Sequence, residues 1–135
     1  MAAPRPCRLV ERHRLGRVEV LTVRAAEVVD AEAIQRLGRE VRQAFTEAEA
    51  TAFVLDLSEV RFLTSAALGL IIHLRAQLME QGRRFALAGA DGEVARVLAC
   101  TRLPEIVPVY PSVEAAAKDL RCPPGGGART CPSAI

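Results

Sequence analysis

Apolar and polar positions along the chain fall into alternating strand and helix patterns. Val18 to Val23 (Val-Glu-Val-Leu-Thr-Val) alternates and is rich in β-branched residues, which predicts a strand. Leu9-Val10 offers a shorter strand before it, with Leu15-Gly16 in the turn. Asp30 stands at a helix N-cap position, and Ile34, Leu37, Val41 and Phe45 follow at helical spacing. Charged residues fill the other faces, so the pattern predicts an amphipathic helix over 31–48. Thr51 to Leu57 is a nearly continuous apolar run, as expected of a strand covered on both sides.

Ser65 to Gln81 reads as a second helix, with Ala67, Leu68, Ile71, Ile72, Leu74, Leu78 and Met79 on a broad apolar face. Gly82 sits just past its end, where a left-handed backbone closes a helix. Arg84 to Gly89 predicts another strand. Gly92 to Cys100 predicts a short helix carrying Val94, Val97 and Leu98. Ile106 to Tyr110 predicts a last strand, and Ser112 caps a final helix through Leu120. Alternation of this kind predicts an α/β domain with a mixed, largely parallel sheet of four to five strands and about four helices. The domain spans 17–120. Residues 1–16 read as an arm able to hold the short first strand, and the Pro/Gly-rich 121–135 reads as a disordered tail.

Composition narrows the possible chemistry. The 135 residues are half apolar and one quarter charged, with few aromatics and no Trp, so the core is aliphatic. A net charge of +2 is too small to imply nucleic acid, and no basic stripe is visible. The closest approach, Arg5, Arg8, Arg12, Arg14 and Arg17, reads as a solvated arm. Cys7, Cys100, Cys122 and Cys131 include no C-x-x-C pair, and neither His13 nor His73 adjoins them in sequence, so no metal site is expected. Cys100 reads as a small core residue. The first residues lack the apolar run of a signal peptide, and no stretch approaches ~20 apolar residues, so the expectation is a cytoplasmic protein without membrane insertion.

Catalytic constellations are not apparent. His73 falls mid-helix without a Ser or Cys partner at motif spacing. Asp56 lies near the end of an apolar strand and reads as a structural hydrogen-bonding group. The run Gly125-Gly126-Gly127 is not followed by the Lys and Ser/Thr of a phosphate loop. No cofactor and no enzymatic activity are expected. A nucleotide or other small ligand ranks last among the functional readings.

The informative stretch is Val54-Leu-Asp-Leu-Ser-Glu-Val-Arg-Phe-Leu-Thr-Ser-Ala-Ala-Leu-Gly-Leu-Ile-Ile. It ends a buried strand, crosses a loop and places Thr64-Ser65 at a helix start, on the carboxyl side of a sheet where such folds site their function. A hydroxyl there caps the helix. A phosphoryl group on Ser65 would gain from the helix dipole, and its charge would oppose a partner packed on that spot. Ser65, Gly69, His73, Ala76 and Glu80 recur on one face, small at its start and polar at its end, which predicts a docking surface beside Thr64 and Ala66.

Three stretches together resemble the STAS domain of anti-sigma-factor antagonists: Phe53 to Gly69, Gln81 to Gly89, and Val94 to Ala116. The resemblance implies a mixed sheet flanked by helices and a role in partner switching. It implies that the unmodified protein binds an anti-sigma factor that is itself a Ser/Thr protein kinase. The kinase then phosphorylates the antagonist, and a phosphatase of the PP2C type restores it. The family's acceptor motif reads Asp-Ser-Ser/Thr-Gly-Leu. Here Ser65, Leu68 and Gly69 match, while Thr64, Ala66 and Ala67 replace the Asp, the second hydroxyl and the Gly. The alternative implied by the same resemblance is an accessory subunit of a lipid ABC-type transporter.

Overall fold

The computed structural model describes residues 9–120. Seven strands and five helices follow in the order β1 (Val10–Leu15), β2 (Val18–Val23), β3 (Glu27–Val28), α1 (Ala31–Glu47), β4 (Ala52–Asp56), β5 (Phe62–Leu63), α2 (Ser65–Glu80), β6 (Arg84–Ala88), α3 (Gly92–Cys100), α4 (Leu103–Ile106), β7 (Val109–Tyr110) and α5 (Val113–Leu120). Five strands form one sheet in the order β1-β2-β4-β6-β7. Only β1 is antiparallel, paired to β2 from Val10↔Val23 to Leu15↔Val18. The others run parallel, with Val20 beside Val54 and Val54 beside Ala86. A separate two-stranded sheet pairs β3 with β5.

The alternation of side chains in the sheet divides the core in two. One face sets Leu21, Phe53, Leu55, Phe85 and Leu87 against α1, α2 and α3, through Leu37, Val41, Leu74, Leu78 and Val94. Its aromatic centre packs Phe45 edge-on to Phe53, ring centroids 4.8 Å apart, and to Phe85 at 6.1 Å. Arg83 closes that cluster. Its guanidinium lies 5.4 Å from the Phe53 centroid and donates to the Phe45 carbonyl at 3.0 Å. The other face, Val18, Ala52, Val54, Ala86 and Ala88, is covered by α5 through Ala116, Ala117 and Leu120. The small residues on that face let the eight-residue helix lie close.

Local chemistry accounts for the helix ends. Asp30 accepts from the Ala33 amide at 2.8 Å, as its position predicts. Past α2, the Gly82 amide donates to the Met79 carbonyl and the Arg83 amide to that of Leu78, both at 3.0 Å. With φ +75 at Gly82 this is a Schellman motif. Helices α1 and α2 approach so closely that a Cβ on Gly38 would lie 3.0 Å from Leu70 Cδ1, and Arg42 Nε donates to Gln77 Oε1 at 3.0 Å across them.

Four expectations need correction. The first strand is six residues long, not two, so Arg12 and Arg14 sit in the sheet and not in a solvated arm. Both reach Glu19, which is buried at 5%, and Arg12 also meets Glu47 at 2.7 Å. Hydrogen bonding to Glu47, then to Glu19, raises the Arg12 pKa above its ordinary value despite its partial burial. Second, Ile106 belongs to the short helix α4 and not to the last strand. Pro104 lies in the first turn of this helix, and the last strand shrinks to Val109–Tyr110. Third, the broad apolar face expected of α2 is covered only in part, and Ile72 and Met79 on it are exposed. Fourth, Cys100 is exposed at the end of α3, not in the core. Cys7, Cys122, Cys131, Arg5, Arg8, the triple glycine and the expected tail lie outside the described residues.

Candidate partner-binding site

Strand β4 ends at Asp56, and the chain returns through β5 to the start of α2. Asp56 organises this exit. Its Oδ1 accepts from the Ser58 amide at 3.0 Å and its Oδ2 from the Thr22 hydroxyl at 3.3 Å. The structural role read from its position is thus supplied by two bonds.

Thr64, not Ser65, is the N-cap of α2. Its Oγ1 accepts from the Ala67 amide at 3.3 Å, and its backbone is extended. Ser65 is the first helical residue and is exposed. Among the described residues nothing hydrogen-bonds its hydroxyl. The helix cap is therefore supplied by the Thr64 hydroxyl, and Ser65 is left accessible.

Electrostatics distinguish this helix start. The first turns of α1, α3, α4 and α5 carry Glu32, Glu93, Glu105 and Glu114, while that of α2 carries no acidic residue. The partial positive charge at its N-terminus, roughly half an elementary charge, is not offset by a neighbouring carboxylate within the turn.

Every position expected on the docking strip faces outward. Ser65, Ala66, Gly69, His73 and Ala76 are exposed, and Thr64 is half-buried as the cap. A Cβ on Gly69 would meet nothing within 4 Å, so the helix backbone itself is open there. Sequence reasoning missed the apolar part of this surface. Ile72 (37% exposed) and Met79 (53%) lie seven and fourteen residues after Ser65, hence almost in line with it along the helix. Phe62 (48%) stands on β5 three residues before Ser65, and Val29 (46%) follows the Val28 that pairs with Leu63. The signal was present: α2 is apolar around more of its circumference than one sheet face covers.

No group of three or more His, Cys, Asp or Glu among the described residues is arranged to hold a metal ion. None of the described helices is long and apolar enough to cross a membrane.

Comparison with known proteins identifies the domain that carries this surface. A Thermotoga maritima protein provisionally named an anti-sigma factor antagonist is 34% identical over 67 residues, which cover 50% of this chain and 59% of that protein. The chain thus matches somewhat over half the length of that relative. The crystal structure of an anti-sigma factor antagonist from Mycobacterium paratuberculosis superposes with a TM-score of 0.70 at 25% identity, covering 84% of this chain and 93% of the other. The structure of the anti-sigma factor antagonist SpoIIAA in its unphosphorylated form gives 0.67 at 18% identity, covering 83% of this chain and 96% of the other. The sequence profile of the STAS domain matches residues 11–116, from the antiparallel first strand to the last helix, and the chain belongs to the STAS domain family.

Proposed function

We propose that this protein is an anti-sigma factor antagonist, which regulates transcription in the cytoplasm by binding a partner protein and not by catalysis. The observation that carries this reading is the surface around Ser65. An exposed helix start, an open backbone at Gly69 and the apolar side chains of Phe62, Ile72 and Met79 lie together on one side of a well-packed domain. Exposed apolar side chains grouped beside small residues form the kind of surface that another protein covers. The names carried by the relatives supply the class of partner, an anti-sigma factor.

Ser65 is the proposed point of control, modified by the Ser/Thr kinase activity of that anti-sigma factor and restored by a PP2C-type phosphatase. A phosphoryl group on the first helical residue would lie at a positive helix end that has no acidic residue of its own. The same group would set about two negative charges on the side of the helix that also carries Ile72 two turns further on, where an apolar contact must lose its water. The partner-binding residues on this reading are Thr64, Ser65, Ala66, Gly69, His73 and Ala76.

The test uses the purified chain and the kinase-type anti-sigma factor of the same source. Binding is measured by calorimetry for wild type and Ser65→Asp, and phosphate incorporation from ATP is located by mass spectrometry. The expected result is a complex for wild type, weakening of at least about tenfold for Ser65→Asp, and phosphate on Ser65. Absence of a complex with wild type removes the antagonist reading. A complex indifferent to Ser65→Asp removes the switch alone.

A further inference from the structure

Helix α1 sorts its charges by side. Glu40 and Glu47 lie on the flank toward β1, where they hold the Val10 amide and Arg12. On the flank toward α2, Arg39, Arg42 and Thr46 recur at helical spacing. There Gly38 packs on Leu70, and Arg42 Nε donates to Gln77 Oε1 at 3.0 Å. Leu70, His73 and Gln77 recur at matching spacing on α2. The two helices thus share a ridge, on which Arg39 and His73 are exposed and Arg42 is half-buried.

The positive charge of this ridge has no counterpart within the chain. Gln77 is neutral, and among the described residues neither Arg39 nor Arg42 makes an ion pair. The two guanidinium groups stand three residues apart on one helix, a spacing that makes side chains neighbours. Like charges so placed repel, which does nothing for the fold. The acidic residues nearest along this side are Glu32, two turns before Arg39, and Glu80 at the end of α2. Residues 1–8 and 121–135 hold Arg5, Arg8, Arg121 and Arg129 but neither Asp nor Glu, so their side chains cannot supply the missing charge.

Arg42 is also held in place. A Cβ on Gly38 would lie 3.1 Å from its Nη1, so the guanidinium sits over the contact between the helices. A carboxylate that meets it finds a donor fork already oriented, with one of five N–H groups engaged. The amides beneath belong to helix interiors, so no free backbone donors converge there on a phosphate. Cations strung along a ridge match carboxylates strung along a segment.

We infer, resting on the docking reading above, that the ridge between α1 and α2 recognises an acidic segment of the partner protein that covers Ser65, through ion pairs to Arg39 and Arg42. His73 joins the ridge to the proposed docking strip, so the ridge is the charged margin of the same interface.

The test has two arms. In the first, amide chemical shifts of the full chain are followed with hexaglutamate, and with sodium phosphate and phosphatidylglycerol vesicles as contrasts. Shifts are expected within 35–46 and 66–77, with affinity about tenfold lower for Arg39→Gln/Arg42→Gln. In the second, association with the kinase-type anti-sigma factor is timed at several salt concentrations. The double variant should associate about tenfold more slowly and with a weaker salt dependence, at an unchanged urea midpoint. Arg96→Gln, on α3, should match wild type in both arms. If the double variant fails to fold, the exposed Arg39→Gln decides with a smaller change of the same sign. Hexaglutamate shifts centred elsewhere, or tighter binding of phosphate or vesicles on this ridge, would overturn the inference. A complex formed by the double variant at the wild-type rate overturns it too and leaves the antagonist reading intact. Hexaglutamate bound on the ridge of a wild type that forms no complex removes the antagonist reading and supports an acidic partner of another kind.

Discussion

Gly89 and Asp56 are packed so that a Cβ on the glycine would stand 2.7 Å from the aspartate Oδ1. The same atom would lie 3.1 Å from Ser58 Cβ, and Gly89 has φ +78. Gly89→Ala therefore meets two penalties, a left-handed backbone and displacement of the Asp56 carboxylate from the Ser58 amide. The expected loss is about 2–4 kcal/mol, read as a lower urea midpoint at constant slope. Gly82→Ala is the control: its φ is +75, but nothing lies within 4 Å of the added atom. It should lose only about 1 kcal/mol. Equal losses at the two positions would show that backbone conformation alone matters at Gly89.

The division of labour between Thr64 and Ser65 separates stability from regulation. Thr64→Ala removes the cap on the Ala67 amide and should cost about 1 kcal/mol, with faster hydrogen exchange in the first turn of α2. Ser65→Ala removes an exposed hydroxyl that holds nothing among the described residues. It should change stability by less than about 0.5 kcal/mol. The reverse order would make Ser65 the structural residue and weaken the case for its control by modification.

How far the sequence reveals this depends on whether the determining contacts are local. Helix α1 was legible because Asp30 caps it and Leu37, Val41 and Phe45 repeat within it. Strand β1 was legible only at Val10. Its next residues, Glu-Arg-His-Arg, show no apolar alternation, and what holds them is pairing with β2 and contacts of Arg12 to Glu19 and Glu47, up to 35 residues away. Helix α4 has four residues, too few for a helical period to appear, and Ile106 beside Val107 passes for strand. At the candidate site, periodicity brought Ser65, Gly69, His73 and Ala76 to one side, and all are exposed. It did not tell Ile72 and Met79 from Ile71 and Leu78, because an apolar residue is inside or outside according to how much of the helix its neighbours cover.

That distinction can be measured. Leu74 is fully buried, and Leu74→Ala should cost about 3 kcal/mol. Phe62→Ala, Ile72→Ala and Met79→Ala each remove a side chain at least one-third exposed and should cost less than about 1 kcal/mol. If the proposed partner packs on this surface, at least one of the three should weaken the complex about tenfold or more, since truncation of a buried apolar anchor has that scale. Calorimetry beside denaturation distinguishes the two effects. Full binding by the triple variant would move the docking surface elsewhere on the protein.

The exposed edge of the sheet has its own safeguard. Among the described residues strand β1 has no neighbour beyond it in the sheet, and its first amides are held by a side chain of α1: Glu40 accepts from Val10 at 2.8 Å and from Leu9 at 3.4 Å. Arg36 holds the same carboxylate at 3.3 Å from one turn earlier. Glu40 thus fixes the start of β1 to α1 and satisfies backbone donors that another chain would otherwise pair with. Glu40→Ala should cost about 1–3 kcal/mol, because it removes a charged acceptor from partly buried amides. Exchange should quicken at Leu9 and Val10 well before it does in β4, and the variant should self-associate more readily on mild heating, as followed by light scattering. Unchanged exchange at Val10 would show that pairing with Val23 alone suffices to hold the edge.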